Sequence, residues 1–204
     1  MDSCDVIHGE FHFAGNLDSV SMVNLFMGDE WLMPFVLEEG PISIQISTAQ
    51  QRVSGTPLND RLYMFLDKKM QIQNQIDELS HRETQAIMNG ENIDSVHMQL
   101  MQKAQILSGE LDRLETTFIT DNFDNILGPS VFEIICNTYQ YPVLTPQIED
   151  IMSRATDKFK NNQFVREYYK TAQENMRMLQ GYTPEEAKNI VSPIMAESDS
   201  TAAY

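Results

Sequence analysis

The sequence predicts an α+β protein: a small antiparallel β-sheet at the N-terminus, then a long antiparallel helical hairpin, then a C-terminal helical bundle. Between Asp5 and Val53, short stretches alternate apolar and polar residues with a period of two, which indicates strands. From about Pro57 onward, apolar residues recur every three or four positions, which indicates helices. We expect a β region over residues 1–55, a helical hairpin over 56–120, a helical region packing on it over 121–192, and a flexible tail over 193–204.

The N-terminal β region begins with two predicted hairpins. A turn at His8 and Gly9 separates a short apolar strand from the alternating residues 10–13, where two phenylalanines share one face. The stretches 20–26 and 33–37 form a second pair, because the glycine and aspartate between them suit a turn.

The most regular pattern lies in "PFVLEEGPISIQI" (34–46) and "VSGTPLND" (53–60). Gly40 can adopt the positive φ of a tight turn, and the three isoleucines after it alternate with polar residues, as in a half-buried antiparallel strand. Thr56 is then the expected N-cap of a helix whose first residue is Pro57, where the missing N–H costs nothing.

Two long helices follow, over about 57–88 and 92–118. The short connection contains Asn89 and Gly90, which can end a helix in the left-handed conformation, so the helices should be antiparallel neighbours. The second helix carries a coiled-coil-like stripe at near-heptad spacing: Val96, Leu100, Ala104, Leu107, Leu111, Leu114 and Phe118.

Further helix starts mark the C-terminal half. Pro129 and Ser130 open one predicted helix, and Thr145 followed by proline opens another that continues through residue 159. A third helix runs to about Leu179, and residues 183–186 form a capping box for a last one.

Composition excludes several classes of function. Fourteen Lys and Arg against thirty Asp and Glu give a net charge of −16, which argues against binding nucleic acid or anionic lipid. The sequence contains neither an apolar run of the ~20 residues that cross a bilayer nor a signal-peptide pattern. Cys4 and Cys136 form no C-x-x-C, and we expect unpaired buried thiols, although a disulfide between them stays open.

Few residues suggest chemistry. His8 and His12 are spaced like metal ligands, but the glycine turn between them should place them on two arms, so we interpret them as solvent-facing. His81 and His97 are also expected at exposed positions near the hairpin tip. Adjacent Glu38 and Glu39 resemble an acid–base pair, yet neighbours in a strand point to opposite faces, which favours a turn.

Three further features have a structural and a functional interpretation. Residues 119–125 offer oxygen ligands for calcium but lack the EF-hand spacing, so a helix-linking loop is preferred. Aromatic and basic residues interleave over 158–170, and on a helix residues 164 and 168 share a face whereas 166 and 170 face elsewhere, as expected for a core side and a solvated side. The thirteen methionines could bind partners or fill the core; we prefer core filling, notably for Met22, Met27, Met33, Met64, Met70, Met98, Met101, Met176 and Met178.

The order of three motifs resembles a known family. These motifs are "DSCDVIHGEFHFAG", then "VNLFMGDEWLMPFVLEEGPISIQI", then "VSGTPLNDRLYMF". Together they are similar to a bacterial cell-envelope lipoprotein domain of unknown function, the type numbered 4369, which is usually N-terminal to thioredoxin-like or peroxiredoxin-like domains. The helices of about 118–176 are similar to the helical segment that follows in that family. The family positions matched are Asp2, Ser3, Val6, Gly9, Phe11, Phe13, Gly15, Phe35, Glu38, Gly40, Ile42, Ile44, Gly55, Leu58, Asn59 and Asp60.

This resemblance implies a location in the cell envelope or periplasm. Relatives begin with an export signal and further strands, so we expect Met1 to be an internal start or the boundary of a fragment of a longer protein. Relatives with redox activity carry a C-x-x-C downstream, which this chain lacks.

We therefore expect a non-catalytic binding or scaffolding module that self-associates, through the hairpin or a sheet edge, or binds a protein partner. The alternative is an accessory module for a separately encoded thioredoxin-like thiol–disulfide reductase. The sequence indicates no catalytic residue, cofactor, metal site or small-molecule ligand.

Overall fold

The computed structural model describes residues 2–47 and 50–181, and these residues form an α+β fold, as predicted. The chain divides into two compact units whose boundary lies between Gln71 and Ile72, inside the first helix. The strands are β1 (Ser21–Met27), β2 (Glu30–Leu37), β3 (Ser43–Ile46) and β4 (Gln51–Ser54). The helices are α1 (Pro57–Met88), α2 (Ile93–Asp121), α3 (Leu127–Cys136), α4 (Pro146–Arg154), α5 (Asp157–Lys160) and α6 (Gln163–Gly181).

The strands form two separate antiparallel pairs, β1 with β2 and β3 with β4, where the sequence had predicted one small sheet. In the β1–β2 pair the register shifts after Leu25, so that Phe26 pairs with Trp31 and Leu25 with Met33. The extra residue in β2 is a bulge, which locally bends and twists a strand pair.

The first predicted hairpin is reduced to its turn. Ile7 and Glu10 form a single antiparallel bridge, and His8 and Gly9 between them both have positive φ, 55° and 84°. Two positive φ angles are the signature of the tight turn that suits a hairpin. The prediction of a strand over residues 10–13 was wrong, because the pairing stops at the Ile7–Glu10 bridge and residues 11–13 belong to no strand.

The long helices agree closely with the prediction. The first helix has the predicted bounds, and the second begins one residue later and ends three residues later than predicted. Gly90 has φ 69°, and Asn92 caps α2 by accepting the N–H of Ser95. Arg82 of α1 pairs with Glu91 of the connection at 2.7 Å, and Glu83 of α1 lies 2.9 Å from His97 of α2. The α2 stripe is half-buried from Val96 to Leu114, and Phe118 is buried.

The second unit has an apolar core built from the end of α2 and from α3 to α6. Its centre is an aromatic cluster in which Phe132 packs edge-on against Phe159 and Tyr168, with ring centroids 5.4 and 6.0 Å apart. Phe164 stacks on Tyr168 at 5.8 Å, so the core face that was predicted for residues 164 and 168 is confirmed.

Two helix boundaries in this unit differ from the prediction. The third helix begins at Leu127, because Asn125 accepts the N–H of Leu127; Pro129 is then in the first turn, where no intrahelical donor is needed. The helix expected over 145–159 is broken, since Ala155 is extended and Thr156 caps a new short helix through the N–H of Phe159. The predicted cap at Thr145 is confirmed, whereas the capping box at 183–186 and the tail lie outside the described residues.

Candidate protein-binding surface

The start of α1 is fastened to the strand region by Glu38. One oxygen of this carboxylate accepts the backbone N–H groups of Leu58 and Asn59, at 2.8 and 3.0 Å. A negative charge at a helix N-terminus also interacts favourably with the helix dipole. Glu38 therefore acts as a helix cap that comes from a residue distant in sequence, and neither it nor Glu39 forms the acid–base pair that the sequence had argued against. The hydroxyl of Thr56, which was the expected N-cap, instead accepts from the side-chain amide of Asn59 at 2.8 Å.

The side chain of Asn59 closes the outer edge of β2. It accepts the N–H of Val36 at 2.8 Å and donates to the C=O of the same residue at 2.7 Å, as a neighbouring strand would. One turn further along α1, the hydroxyl of Tyr63 donates to the C=O of Pro34 at 2.9 Å. This edge of β2 is occupied by α1, which leaves the opposite edge of the pair, formed by β1.

Close packing supports the same junction. Gly55 has φ 100°, and a Cβ there would lie 2.5 Å from the carbonyl oxygen of Pro41, so only glycine fits. Asn59 and Thr56 are buried and bonded to each other, with the amide donating to the hydroxyl at 2.8 Å. The motif "SGTPLND" thus fixes the junction between the strands and α1. We call the hydrogen bonds that Glu38 and Asn59 form at this junction the Glu38–Asn59 lock.

The free edge of the strand pair is uncharged. In the part of the chain that the structure describes, β1 pairs only with β2. Its seven residues, "SMVNLFM", contain no Lys, Arg, Asp, Glu or Pro. Sheet edges of soluble proteins are usually protected by such residues, so an edge without them can accept another strand.

A patch of apolar side chains lies at the turn end of β1 and β2. The side chains of Phe26, Met27 and Trp31 are 51%, 59% and 54% exposed, and we call them the tip patch. Trp31 is held in place by a 2.9 Å hydrogen bond from its indole N–H to the Oδ1 of Asn24. Large exposed apolar side chains next to one another are typical of interaction surfaces.

Phe26 and Trp31 were not among the candidates that the sequence suggested. A signal for them exists, because apolar residues flank the predicted Gly28–Asp29 turn on both sides. Their pairing depends on the bulge in β2, which local periodicity does not predict.

In the described chain, no three His, Cys, Asp or Glu side chains form a group that could hold a metal ion, and this includes the histidine candidates. His8 and His12 flank the Gly9 turn and are exposed. His97 pairs with Glu83 across the hairpin at 2.9 Å, and His81 is exposed.

The segment considered for calcium is a hydrogen-bonded helix connection, as predicted. Its first three residues, 119–121, complete α2. Asn122 is buried and donates to the C=O of Phe118 at 2.7 Å, while its own side-chain oxygen accepts from Asn125 at 2.9 Å. The carboxylate of Asp124 accepts from the hydroxyl of Thr156 at 3.0 Å. The hydrogen bonds of these polar side chains thus hold the helix connection in its conformation.

The two cysteines are free. Cys136 is buried, and burial raises the pKa of its thiol to about 12, as expected for an inert structural thiol. Cys4 is exposed, which corrects the expectation that both would be buried.

The prediction that methionines fill the core was wrong for most of them. Of the nine that were named, only Met33 is buried, and Met22 and Met176 are half-buried. The amphipathic helices leave the others on solvent faces: Met64, Met70, Met98, Met101 and Met178, together with Met27 at the strand turn, are exposed.

No helix in the described residues is both long and apolar enough to cross a membrane. Comparison with curated proteins and with solved structures found no match. A family model, described as "Domain of unknown function (DUF4369)", matches residues 1–62 of the 204. The match covers the strands and the Glu38–Asn59 lock but not residues 118–176, for which the resemblance stays a prediction. Residues 1–62 thus match the model of this domain family of unknown function, as the three motifs had predicted.

Proposed function

We propose that the protein is a non-catalytic binding module of the bacterial cell envelope that self-associates through β1. The observation that carries the proposal is that β1 is uncharged and paired on one side only in the described chain, with the exposed tip patch at its end. Strand addition to such an edge supplies main-chain hydrogen bonds, and neighbouring apolar side chains add specificity.

A second copy of the chain is the partner that the sequence of β1 fits best. Two β1 strands related by a two-fold axis would pair antiparallel about Asn24. Met22 would then face Phe26 of the other copy, and Val23 would face Leu25. Apolar cross-strand pairs of this kind contribute roughly 0.2–1 kcal/mol each.

The net charge of −16 opposes this association. Repulsion between two copies is screened by salt, with a Debye length of about 10 Å at 0.1 M and about 3 Å at 1 M. We therefore expect a dimer whose dissociation constant falls as the ionic strength rises.

Sedimentation velocity over a range of protein and salt concentrations tests the proposal. Asn24→Lys places two like charges opposite each other at the centre of the proposed interface, and should weaken the dimer at least about tenfold. Gln102→Lys is the matched control, because it makes the same charge change at an exposed residue of α2 and should leave the dimer unchanged. A monomer at every salt concentration, or equal dimerisation of the two variants, would contradict the proposal.

The envelope location and the accessory role rest on the family resemblance. Fractionation of cells that express the natural gene tests the location. For the accessory role, the assay is turnover of a thioredoxin-like reductase with and without this protein. Acceleration by wild type and by Asn24→Lys alike would favour the accessory role over self-association.

A further inference from the structure

One face of α6 forms a groove of opposite charge to the rest of the protein. Arg166, Tyr169, Lys170 and Gln173 follow one another at helical spacing and line this groove of about 340 Å³. Lys160, at the end of α5, and the buried Met152 of α4 complete the lining; we call this the basic groove.

The charge of this region contrasts with its surroundings. Residues 158–170 contain four of the fourteen cationic side chains and a single carboxylate, Glu167. No carboxylate lines the groove itself, and every polar side chain that does can donate hydrogen bonds. In a chain of net charge −16, a stretch with four cations and one carboxylate is a local reversal of charge.

The cations of the basic groove are available to a ligand. Lys170 lies 3.9 Å from Glu174 with its side chain 76% exposed, and such an exposed pair is worth little. Within the described residues, neither Lys160 nor Arg166 forms an ion pair with a carboxylate.

We propose that the basic groove binds an extended acidic peptide segment of a partner protein. Arg166 and Lys170 are one helical turn apart, about 6 Å along the axis, and alternate side chains of an extended peptide repeat about every 6.6 Å. Two carboxylates separated by one residue therefore match these two cations. Arg166 can bind a carboxylate through two parallel hydrogen bonds, and the phenol of Tyr169 and the amide of Gln173 beside it can donate further hydrogen bonds to the peptide.

Fluorescence polarisation with a labelled peptide tests the proposal. The probe carries two glutamates separated by one alanine in a serine–alanine sequence, and its analogue has glutamines at those positions. We expect the glutamate peptide to bind and the glutamine peptide to bind at least about tenfold more weakly. Arg166→Gln should weaken binding of the glutamate peptide at least about fivefold, and Lys170→Gln should also weaken it.

Lys103→Gln is the control, since it removes one positive charge from an exposed residue of α2 and should change binding less than about twofold. Circular dichroism establishes that each variant is folded. Equal binding of the two peptides, equal effects of Arg166→Gln and Lys103→Gln, or tighter binding of inorganic phosphate than of the glutamate peptide would overturn the proposal. Repeating the titration with Asn24→Lys separates this site from self-association, because that variant should bind the peptide like wild type.

Discussion

The carboxylate of Glu38 accepts the backbone N–H of Leu58 at 2.8 Å, so the residue after β2 caps the helix that begins beyond β4. Because the cap also takes the N–H of Asn59, it satisfies two of the donors that every helix start leaves unpaired. One side chain therefore connects β2 to α1.

Removal of this cap should destabilise the protein. We expect Glu38→Ala to lower the free energy of unfolding by about 1–2 kcal/mol, the usual cost of a lost N-cap. Glu39→Ala, at the exposed neighbouring residue, is the matched control and should change it by less than about 0.5 kcal/mol. Urea unfolding followed by circular dichroism measures both. Equal stability of the two variants would show that water caps the helix as well as Glu38 does.

The amide of Asn59 should matter more, because it is fully buried and bonded to both backbone groups of Val36. Asn59→Ala would leave a buried donor and acceptor unpaired, at about 1–3 kcal/mol each. We expect a loss of at least about 2 kcal/mol, whereas Asn74→Ala, at an exposed position of the same helix, should cost nothing measurable. The same urea titration compares them, and a loss below about 1 kcal/mol for Asn59→Ala would contradict the proposed lock.

The bounds of α1 follow from local signals, since Thr56–Pro57 starts the helix and Asn89–Gly90 ends it. Glu38 as a cap could not be predicted locally, because it lies twenty positions before Leu58 and the contact requires the folded strands. The tip patch likewise depends on the bulge that pairs Phe26 with Trp31. The exposed methionines show a related limit: periodicity identifies the buried face of a helix, but not how much of the helix other elements cover.

Cys136 should make stability fall at alkaline pH. Its folded-state pKa of about 12 is raised from an ordinary value near 9, so the folded state holds a proton that the unfolded state releases. This contribution is fully present below pH 9 and is lost progressively as the pH rises towards 12. Unfolding in urea between pH 8 and 11 should show a steeper fall for wild type than for Cys136→Ala. If the free energy of unfolding fell equally with pH in the two proteins, the Cys136 thiol would not contribute to the pH dependence of stability.

The burial of Cys136 should also make its thiol react more slowly than the exposed thiol of Cys4. Cys4 is exposed and should react readily with a thiol reagent at pH 8, whereas Cys136 should react only on unfolding. The expected count is therefore one reactive thiol in the native protein and two in urea. Cys4→Ser is the control, since it should leave no reactive thiol in the native state. Two fast-reacting thiols in the native wild type would show that Cys136 is accessible.

Trp31 offers a direct test of the proposed interface, because it is the only tryptophan and its side chain is 54% exposed. If copies of β1 pair, the adjoining tip patch should lose contact with water as the salt concentration rises. We expect the emission to shift to shorter wavelength and acrylamide quenching to fall about twofold, because burial restricts the quencher. Asn24→Lys should abolish this salt-induced change, whereas Gln102→Lys should retain it. Comparing the change within each variant removes the effect of losing the Asn24 hydrogen bond. If salt induced the same change in Asn24→Lys, the tip patch would be covered by some contact other than pairing of β1.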